Sequence, residues 1–323
     1  MRRFSKILIT GIHGSGGSYL AEHLLNKNIK TKIYGIYNKS NNQNIKHLDK
    51  NKLKTYQCDL TNFKKTKQII EKIKPDLIFH LASNADVKLS FSKPFEIIKN
   101  NCELTMNLLE SVRIIKSLSP LIIICSTSEV YGQVTKKDIP IKEDQMINPV
   151  NPYAVSKTFQ DLMAQNYYKN FNMKIIITRM FTYLNPRRTN LFASNWANQI
   201  ALIEIGKQKI LHHGNLNSVR TILDMENTME AYWLSAQKGR IGEIYNIGGV
   251  EPIKIKFFLK QLISYSDKKI KKFLDPKLLR KNDVTLQVPD ISKFKKHTGW
   301  KNTTKVEKSA LELLMYFRDK HNV

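Results

Sequence analysis

Short, continuous apolar segments alternate with longer amphipathic segments through the first 180 residues. Continuous apolar runs are typical of strands buried on both faces of a parallel sheet, and amphipathic segments between them are typical of covering helices. The sequence therefore predicts an α/β fold built on an open, doubly wound parallel sheet. The six predicted strands lie at residues 6–12, 31–37, 53–58, 76–81, 121–126 and 173–179.

The alternation fades after Arg179 into a loop rich in Asn, Pro and Arg. Helical patterns follow at about 196–206 and 256–265. We expect two domains, at residues 1–180 and 181–323, with a segment at about 220–250 returning to the side of the first. The second domain should be a smaller α/β unit. The polar, Asn-rich segment 38–51 predicts a surface loop after the second strand.

Composition indicates a globular protein with a strongly basic surface. Of 323 residues, 53 are Lys or Arg and 27 are Asp or Glu, which gives a net charge of +26. The lysines are spread along the whole chain and form no cluster that could line a groove, so we expect no nucleic-acid partner. No apolar run approaches the ~20 residues that cross a bilayer, so we expect no membrane partner either. A small anion such as a diphosphate would still gain from this charge.

The chain contains three cysteines, Cys58, Cys102 and Cys125, and none has a Cys or His neighbour at metal-ligand spacing. We therefore expect no metal site. So few cysteines are typical of a reducing compartment, and we expect a cytoplasmic protein.

Gly11, Gly14 and Gly17 form a GxxGxxG turn between the first predicted strand and a helical segment at 19–25. Glycines allow the backbone to approach a pyrophosphate closely, and the helix N-terminus offers free N–H groups and a positive dipole end. This context predicts a dinucleotide site. The glycines alone are also compatible with a tight turn that binds nothing.

A dinucleotide site commonly has an acidic residue about 20 residues beyond the glycines, bound to the adenosine ribose. Here the second strand ends in Tyr37, Asn38 and Lys39, without an acid. A basic Lys39 in that place favours NADP, with NAD as the other possible cofactor. Asp59, after the third strand, has two readings: an acceptor for the adenine amino group, or an N-cap for the helix that follows.

A second motif combines Thr127, at the tip of the fifth strand, with Tyr153 and Lys157 at the start of a helix. Tyr153 and Lys157 are one helical turn apart and face the same way. A neighbouring ammonium favours the phenolate, so Tyr153 could exchange a proton with a sugar hydroxyl that Thr127 holds in place. The alternative is an ordinary amphipathic helix start.

Several segments carry a resemblance to a known family, and they span nearly the full chain. They are Gly-Ser-Tyr-Leu-Ala-Glu from Gly17, Ser-Thr-Ser-Glu-Val-Tyr-Gly from Ser126, Asn-Pro-Tyr-Ala-Val-Ser-Lys from Asn151, Pro-Arg-Arg from Pro186, Gly-Asn-Leu from Gly214, and the closing Asp283-Val284, 290–293 and Gly299-Trp300. The chain resembles extended short-chain dehydrogenases/reductases and, among them, is similar to GDP-mannose 4,6-dehydratases. The resemblance implies an NAD(P)-binding Rossmann domain followed by a sugar-nucleotide-binding domain.

The resemblance implies an NAD(P)-dependent lyase that acts on a GDP-sugar. Oxidation at C4 of the sugar acidifies the C5 proton, a carboxylate removes that proton, water leaves from C6, and the hydride returns to C6. Thr127, Tyr153 and Lys157 become the hydride-transfer set, and Glu129 becomes the candidate carboxylate, although a solvated glutamate is the alternative.

The resemblance also implies binding residues and an assembly. Cofactor contacts are expected from Gly11, Gly14, Ser15, Gly17, Lys39, Asp59, Leu60, Leu81, Ala82, Asn101, Lys157 and Arg188, and substrate contacts from Ser128, Asn185, Arg220 and Arg280. Arg187 and Arg188 match a loop that, in the dehydratases, reaches the NADP phosphate of a neighbouring subunit. We therefore expect a homo-oligomer, either a dimer or a tetramer.

One departure from the family concerns the pocket. The family's Phe-Asn-His before the arginine loop is Phe181-Thr182-Tyr183 here. Since related dehydratases act on GDP-mannoheptose as well as GDP-mannose, the changed wall leaves either a hexose or a heptose as the substrate. The closest rival function is a GDP-4-keto-6-deoxy-sugar reductase or an epimerase on the same fold. A non-catalytic nucleotide- or RNA-binding protein is the remote alternative.

Overall fold

The computed structural model describes residues 1–27, 30–39, 41–280 and 282–322. Ser40, in the expected surface loop, lies outside these ranges. The strands are β1 (Lys6–Thr10), β2 (Lys32–Tyr37), β3 (Leu53–Gln57), β4 (Leu77–His80), β5 (Leu121–Thr127), β6 (Ile175–Met180), β7 (Ile210–His213), β8 (Val219–Thr221), β9 (Ile244–Ile247), β10 (Pro252–Lys254), β11 (Lys271–Leu274) and β12 (Leu286–Gln287). The helices are α1 (Ser15–Asn26), α2 (Phe63–Ile73), α3 (Val87–Ser92), α4 (Pro94–Ile114), α5 (Pro152–Phe171), α6 (Phe192–Glu204), α7 (Met225–Lys238), α8 (Ile255–Ser264), α9 (Ser292–Thr298) and α10 (Val306–His321).

The central sheet has seven parallel strands in the order β3-β2-β1-β4-β5-β6-β9. This confirms the predicted doubly wound parallel α/β fold. All six predicted strands are present, with small errors at their ends. The first ends at Thr10 and not at residue 12, because Gly11 turns the chain with φ +73. The seventh strand, β9, is too short and too mixed in sequence to be recognised as a strand.

Apolar side chains fill both faces of this sheet. One layer packs Ile7, Ile9, Phe79 and Ile123 against α1 and α7, and the other packs Leu8, Ile78, Ile122 and Ile124 against α2, α4 and α5. Residues far along the chain join the first layer: Trp233 on α7, Tyr245 on β9, Phe294 on α9, and Trp300 just after α9. The segments that carry α7, β9 and α9 therefore complete the core of the large sheet.

A smaller unit packs around a separate core. Helices α6, α8 and α10 bury Trp196, Phe258 and Phe317 there. Two small sheets complete it, a three-stranded sheet in the order β10-β8-β12 and a two-stranded parallel sheet of β11 and β7. This unit lies beside the carboxyl ends of the large sheet and forms the second wall of the cleft described below.

A buried ion pair fixes the strands beneath the cleft. Arg179, at the end of β6, donates to both oxygens of Asp161 on α5, at 2.9 and 3.1 Å, and both side chains are almost fully buried. Ser126 donates to the same carboxylate and Tyr131 accepts from Arg179. Because each charge is fully paired, removing one partner would leave the other buried and uncompensated.

In the part of the chain that the structure describes, no helix combines the length and the apolar character needed to pass through a lipid bilayer.

His80 crosslinks the interior beside β4. Its Nδ1 contacts the Thr10 hydroxyl at 2.9 Å and its Nε2 contacts the Thr105 hydroxyl at 3.0 Å, and the ring is 2% exposed. Burial, reinforced by the Lys157 charge, lowers the pKa of His80 from 6.5 to about 3. The imidazole is therefore neutral in the folded protein throughout the neutral and mildly acidic range.

This burial predicts an acid-dependent loss of stability. Between the folded pKa of about 3 and the unfolded pKa of 6.5, the unfolded chain binds a proton at His80 that the folded protein does not. Stability from neutral His80 is thus lost as the pH falls below 6.5, by about 2 kcal/mol between pH 7 and pH 5. Urea unfolding at both pH values should show a smaller difference for His80→Gln than for the wild type. His212→Gln, at a half-exposed position, should leave the difference unchanged; an equal pH dependence in all three proteins would contradict this account.

Candidate active site

A cleft of about 890 Å³ lies at the carboxyl ends of the strands, between the sheet and the smaller unit. Residues from both units line it. The predicted site residues on its wall are Gly11, Gly14, Ser15, Gly17, Lys39, Asp59, Leu60, Leu81, Ala82, Thr127, Ser128, Glu129, Tyr153, Lys157, Arg188, Arg220 and Arg280. Residues separated by more than 260 positions in the sequence thus meet in one cavity.

The glycine turn lets the phosphate groups of a ligand approach the protein backbone closely. A Cβ on Gly17 would lie 2.4 Å from the carbonyl oxygen of Gly11, so a side chain there has no space. Gly14 is the N-cap of α1 and no side chain caps the helix, so the first N–H groups of α1 remain available. This is an anion site of the kind that holds a pyrophosphate, and it fits a dinucleotide.

The expected adenosine end of the cleft contains Lys39 and Asp59, both exposed. The N-cap reading of Asp59 is wrong: Asn62 caps α2 by accepting from the Lys65 N–H at 3.0 Å. Asp59 accepts instead from the Thr61 N–H and hydroxyl. Sequence reasoning missed His13, whose ring stacks on Tyr37 with centroids 3.9 Å apart and which also lines the cleft.

Tyr153 and Lys157 line the cleft from the first two turns of α5. Asn151 caps this helix by accepting from the Ala154 N–H at 2.8 Å, and Pro152 occupies its first position. Both site residues are buried, and Lys157 donates to the backbone carbonyl of Cys125 on β5. Thr127 ends β5 and caps the short 3₁₀ turn Ser128–Tyr131. Its hydroxyl accepts from the Glu129 N–H in that turn.

Burial dominates the proton equilibria of these groups. It raises the pKa of Tyr153 above its ordinary value, while the Arg188 charge and the Thr127 hydroxyl act in the opposite direction. Burial lowers the pKa of Lys157 to about 8, against the opposing effects of Cys125 and Asp161. Arg188 is thus a cation that favours the Tyr153 phenolate, a role that the sequence motif suggested for Lys157.

Two amides hold the Glu129 carboxylate on the wall of the cleft. Asn151 donates from Nδ2 to Oε2 at 3.0 Å, and Gln287 donates from Nε2 to Oε1 at 3.0 Å. Glu129 is half-buried on the same wall as Tyr153. It is therefore an oriented carboxylate inside the site, and its reading as a freely solvated surface residue is wrong.

Arg187 and Arg188 fold back onto their own chain. Arg187 donates to the Ser18 hydroxyl at 2.9 Å and to the Glu22 carboxylate at 2.7 Å, and its guanidinium lies 3.7 Å from the Tyr19 ring centroid. Arg188 donates to the Ala85 carbonyl at 2.9 Å and lines the cleft of the same chain. Both arginines are therefore held by contacts within the chain.

Two predicted binding residues support the cleft from behind and do not line it. Asn185, expected to contact substrate, is fully buried and donates from Nδ2 to the Ser15 hydroxyl at 3.0 Å, and its backbone carbonyl accepts from Ser194. Asn101, expected to contact cofactor, is fully buried and bonds to Ser156 and to the backbone of Asn84. In the structure Asn185 contacts the glycine turn and Asn101 contacts the loop after β4, and their contacts to substrate and cofactor stay predictions.

Ser128, Arg220 and Arg280 lie on the cleft wall toward the smaller unit. Arg220 lies in β8, and its guanidinium donates to the backbone carbonyls of Val219 and Val284. Burial lowers the pKa of Arg220, and the charges of Glu129 and Asp283 oppose this effect. Two guanidinium groups at this end suit the oxygen atoms of a diphosphate.

Among the described residues, no group of three or more His, Cys, Asp or Glu side chains is arranged to hold a metal ion.

Comparison with known proteins shows which family this sequence matches. The family model described as GDP-mannose 4,6 dehydratase matches residues 8–313. The GDP-mannose 4,6-dehydratase of Vibrio cholerae serotype O1 is 30% identical over 76% of this chain and 67% of its own. The GDP-6-deoxy-D-mannose reductase of Pseudomonas aeruginosa is 26% identical over 74% of this chain and 79% of its own. Among solved structures, RMD from Pseudomonas aeruginosa complexed with NADPH is similar with a TM-score of 0.84 and 23% identity, over 98% of this chain and 99% of that chain.

The contact between Asn185 and Ser15 predicts a specific loss of stability. Asn185→Ala removes a buried amide that donates to the half-buried Ser15 hydroxyl, so the free energy of unfolding should fall by about 1 kcal/mol. Asn190→Ala, in the same loop but exposed, should change it by less than about 0.5 kcal/mol. Chemical unfolding measures both, and equal losses in the two variants would show that the buried contact has no special weight.

Proposed function

Because the chain belongs to the GDP-mannose 4,6-dehydratase family, we propose that it is a sugar-nucleotide 4,6-dehydratase, a lyase that converts a GDP-manno-configured sugar to the 4-keto-6-deoxy sugar nucleotide. The family establishes a GDP-sugar dehydratase or a related reductase, and an NAD(P)-dependent enzyme. One observation carries the choice of dehydratase: Glu129 is oriented by two amides in the same cleft as Tyr153. Dehydration needs this second acid–base group, whereas simple reduction of a ketone does not.

We propose NADP as the cofactor, with NAD as the alternative. The open glycine turn fits the pyrophosphate, and Lys39 stands where NAD-binding proteins commonly have an acid. Leu60, Leu81 and Ala82 form the wall between that end and the reaction centre. When bound, the cofactor supplies reversible hydride transfer with a carbon of the sugar.

The chain's own residues then handle the protons. Thr127 binds and orients the sugar 4-hydroxyl, and the Tyr153 phenolate takes its proton. Arg188 stabilises that phenolate electrostatically, and Lys157 fixes the end of β5 through the Cys125 carbonyl. Once C4 is a ketone, Glu129 takes the acidified C5 proton and gives it to the C6 hydroxyl, which leaves as water. The hydride then returns to C6, and C5 takes up a proton again to complete the 4-keto-6-deoxy sugar.

Arg220 and Arg280 bind the diphosphate in this proposal, and Ser128 contacts the sugar.

The manno-configured sugar is either a hexose or a heptose. Phe181, Thr182 and Tyr183 all line the cleft, so the departure from the family's Phe-Asn-His lies on the wall of the cavity. This favours a seven-carbon sugar, and equal or faster turnover of GDP-mannose than of GDP-mannoheptose would contradict that assignment.

We also propose a homo-oligomer, a dimer or a tetramer, and a cytoplasmic location. The family resemblance supports the first, and three unpaired cysteines support the second. The arginine loop contacts its own chain, so it does not by itself require a neighbouring subunit to complete the cofactor end of the cleft.

A reductase is the second candidate, supported by the similarity to the Pseudomonas aeruginosa reductase. The two functions differ in their use of cofactor. A dehydratase turns over with no net consumption of NADPH, whereas a reductase consumes one NADPH for each ketone. The Glu129 carboxylate is essential only in the first.

Glu129→Gln separates the two candidates. The amide cannot accept the C5 proton, so water loss should fall by about 10²–10⁴-fold, as expected for removal of a general base. Product mass measured against time gives the rate, and binding of NADPH checks that the variant folds. Glu96→Gln, exposed at the start of α4, is the matched control and should retain full activity. A Glu129→Gln protein that still eliminates water would overturn the dehydratase mechanism.

Lys39→Ala tests the cofactor. If Lys39 binds the 2′-phosphate, its loss should weaken NADP binding about tenfold and leave NAD binding unchanged. Calorimetric titration measures both affinities without turnover. Lys54→Ala, an exposed lysine on β3 outside the cleft, should change neither. A fall in both affinities, or in neither, would remove Lys39 from the 2′-phosphate site.

A further inference from the structure

Glu129 depends on a donor that the large sheet does not provide. Asn151 is the N-cap of α5, and its Oδ1 already accepts from the Ala154 N–H, so its Nδ2 is the atom that donates to Glu129. The second donor, Gln287, comes from β12 in the smaller unit and is 4% exposed. The carboxylate is therefore held between the two units.

Gln287 lies on a strap, residues 284–290, that is fixed on both sides of it. On one side Gln133 accepts from the Thr285 N–H at 2.7 Å, and Val219 donates to the Thr285 carbonyl at 2.7 Å. On the other side Ile141 donates to the Val288 carbonyl at 2.7 Å and accepts from the Asp290 N–H at 2.8 Å. The amide of Gln287 is thus in place before any substrate enters.

The strap also connects Glu129 to the diphosphate end of the cleft. Gln287 pairs with Arg220 in the register between β12 and β8, and both side chains line the cleft. Arg220 in turn donates to the Val284 carbonyl at the start of the strap. The diphosphate end of the cleft and the Gln287 amide are therefore connected through neighbouring strands.

A neutral amide suits this position. A carboxylate has about four acceptor sites, so two amide donors fix both oxygens and still leave capacity for a proton. A cation in place of Gln287 would hold the carboxylate more strongly and oppose its protonation. The charged and titratable groups that face Glu129 include Tyr153 and Arg220.

We propose that Gln287, from the smaller unit, is a positioning residue for Glu129. Its amide orients the carboxylate toward the C5 proton, and its strand connects the carboxylate to the neighbouring strand that carries Arg220. This role rests on the proposed dehydratase function. Gln287 does not touch the reacting atoms, and it leaves nucleotide binding to other groups. Its loss should therefore affect proton transfer more than substrate affinity.

Gln287→Met tests the proposal, because methionine has a similar length and no N–H donor. We expect kcat to fall about tenfold, as for loss of one hydrogen bond to a charged group, with KM within about threefold of the wild type. Solvent deuterium incorporation at C5 of the 4-keto product, followed by mass spectrometry, should slow by the same factor. Gln287→Glu keeps the size but repels Glu129, so both rates should fall at least as far.

Thr285→Val is the matched control. It alters the same strap two residues away, at an exposed contact with Gln133, and should leave kcat and C5 exchange unchanged. Thermal unfolding and NADPH affinity check that each variant folds, and Gln287→Glu, which is isosteric, supplies the test if Gln287→Met does not.

The outcomes distinguish the positioning role of Gln287 from the proposed dehydratase function. Wild-type protein that eliminates water at a rate insensitive to both Gln287 variants would overturn the positioning role alone. Wild-type protein that eliminates no water would overturn the proposed function and the role together. A rise in KM with kcat and C5 exchange unchanged would make Gln287 a substrate-binding residue and would also overturn the proposal.

Discussion

Hydrogen bonding between the parallel strands β1, β4, β5 and β6 brings their carboxyl ends to one edge of the sheet, and the loops of the site leave from that edge. The glycine turn follows β1, Lys39 follows β2, Asp59 follows β3, Ala82 follows β4, and Thr127 ends β5. The register therefore decides which side chains can meet. A ligand that lies along this edge contacts one short loop after another, which is the arrangement expected at the crevice of an open α/β sheet.

The smaller unit converts this general site into a specific one. It contributes Arg220 and Arg280 to the far end of the cleft, and through the strap it contributes the second donor to Glu129. Beneath the cleft, the pair of Arg179 and Asp161 ties β6 to α5, the helix that carries Tyr153 and Lys157. The proposed acid–base groups are thus supported by hydrogen bonds from both sides, which is how a site keeps its geometry before substrate binds.

Much of this could be predicted from local sequence. Buried parallel strands give continuous apolar runs, and a glycine turn between a strand and a helix is typical of a dinucleotide site, so the sheet and the expected dinucleotide end follow from short segments. Side-chain direction could not be predicted in this way. Asn101 and Asn185 are fully buried and bond to other parts of the chain, and only the tertiary packing decides that. Gln287 could not be found, because a two-residue strand carries no periodic signal and its partner lies 158 positions away. The sequence offered one weak indication: Gln287 lies between the apolar residues Leu286 and Val288, shortly after Asp283-Val284.

Incubation of the purified protein with GDP-mannose and, separately, with GDP-mannoheptose tests the central claim most directly. No reductant is added, and product mass is followed together with the NADPH absorbance. The account predicts the loss of one water from at least one of the two sugar nucleotides with no net change in NADPH. Intact substrate in both reactions, followed by NADPH consumption when a 4-keto-6-deoxy sugar nucleotide is supplied, would contradict it and identify a reductase.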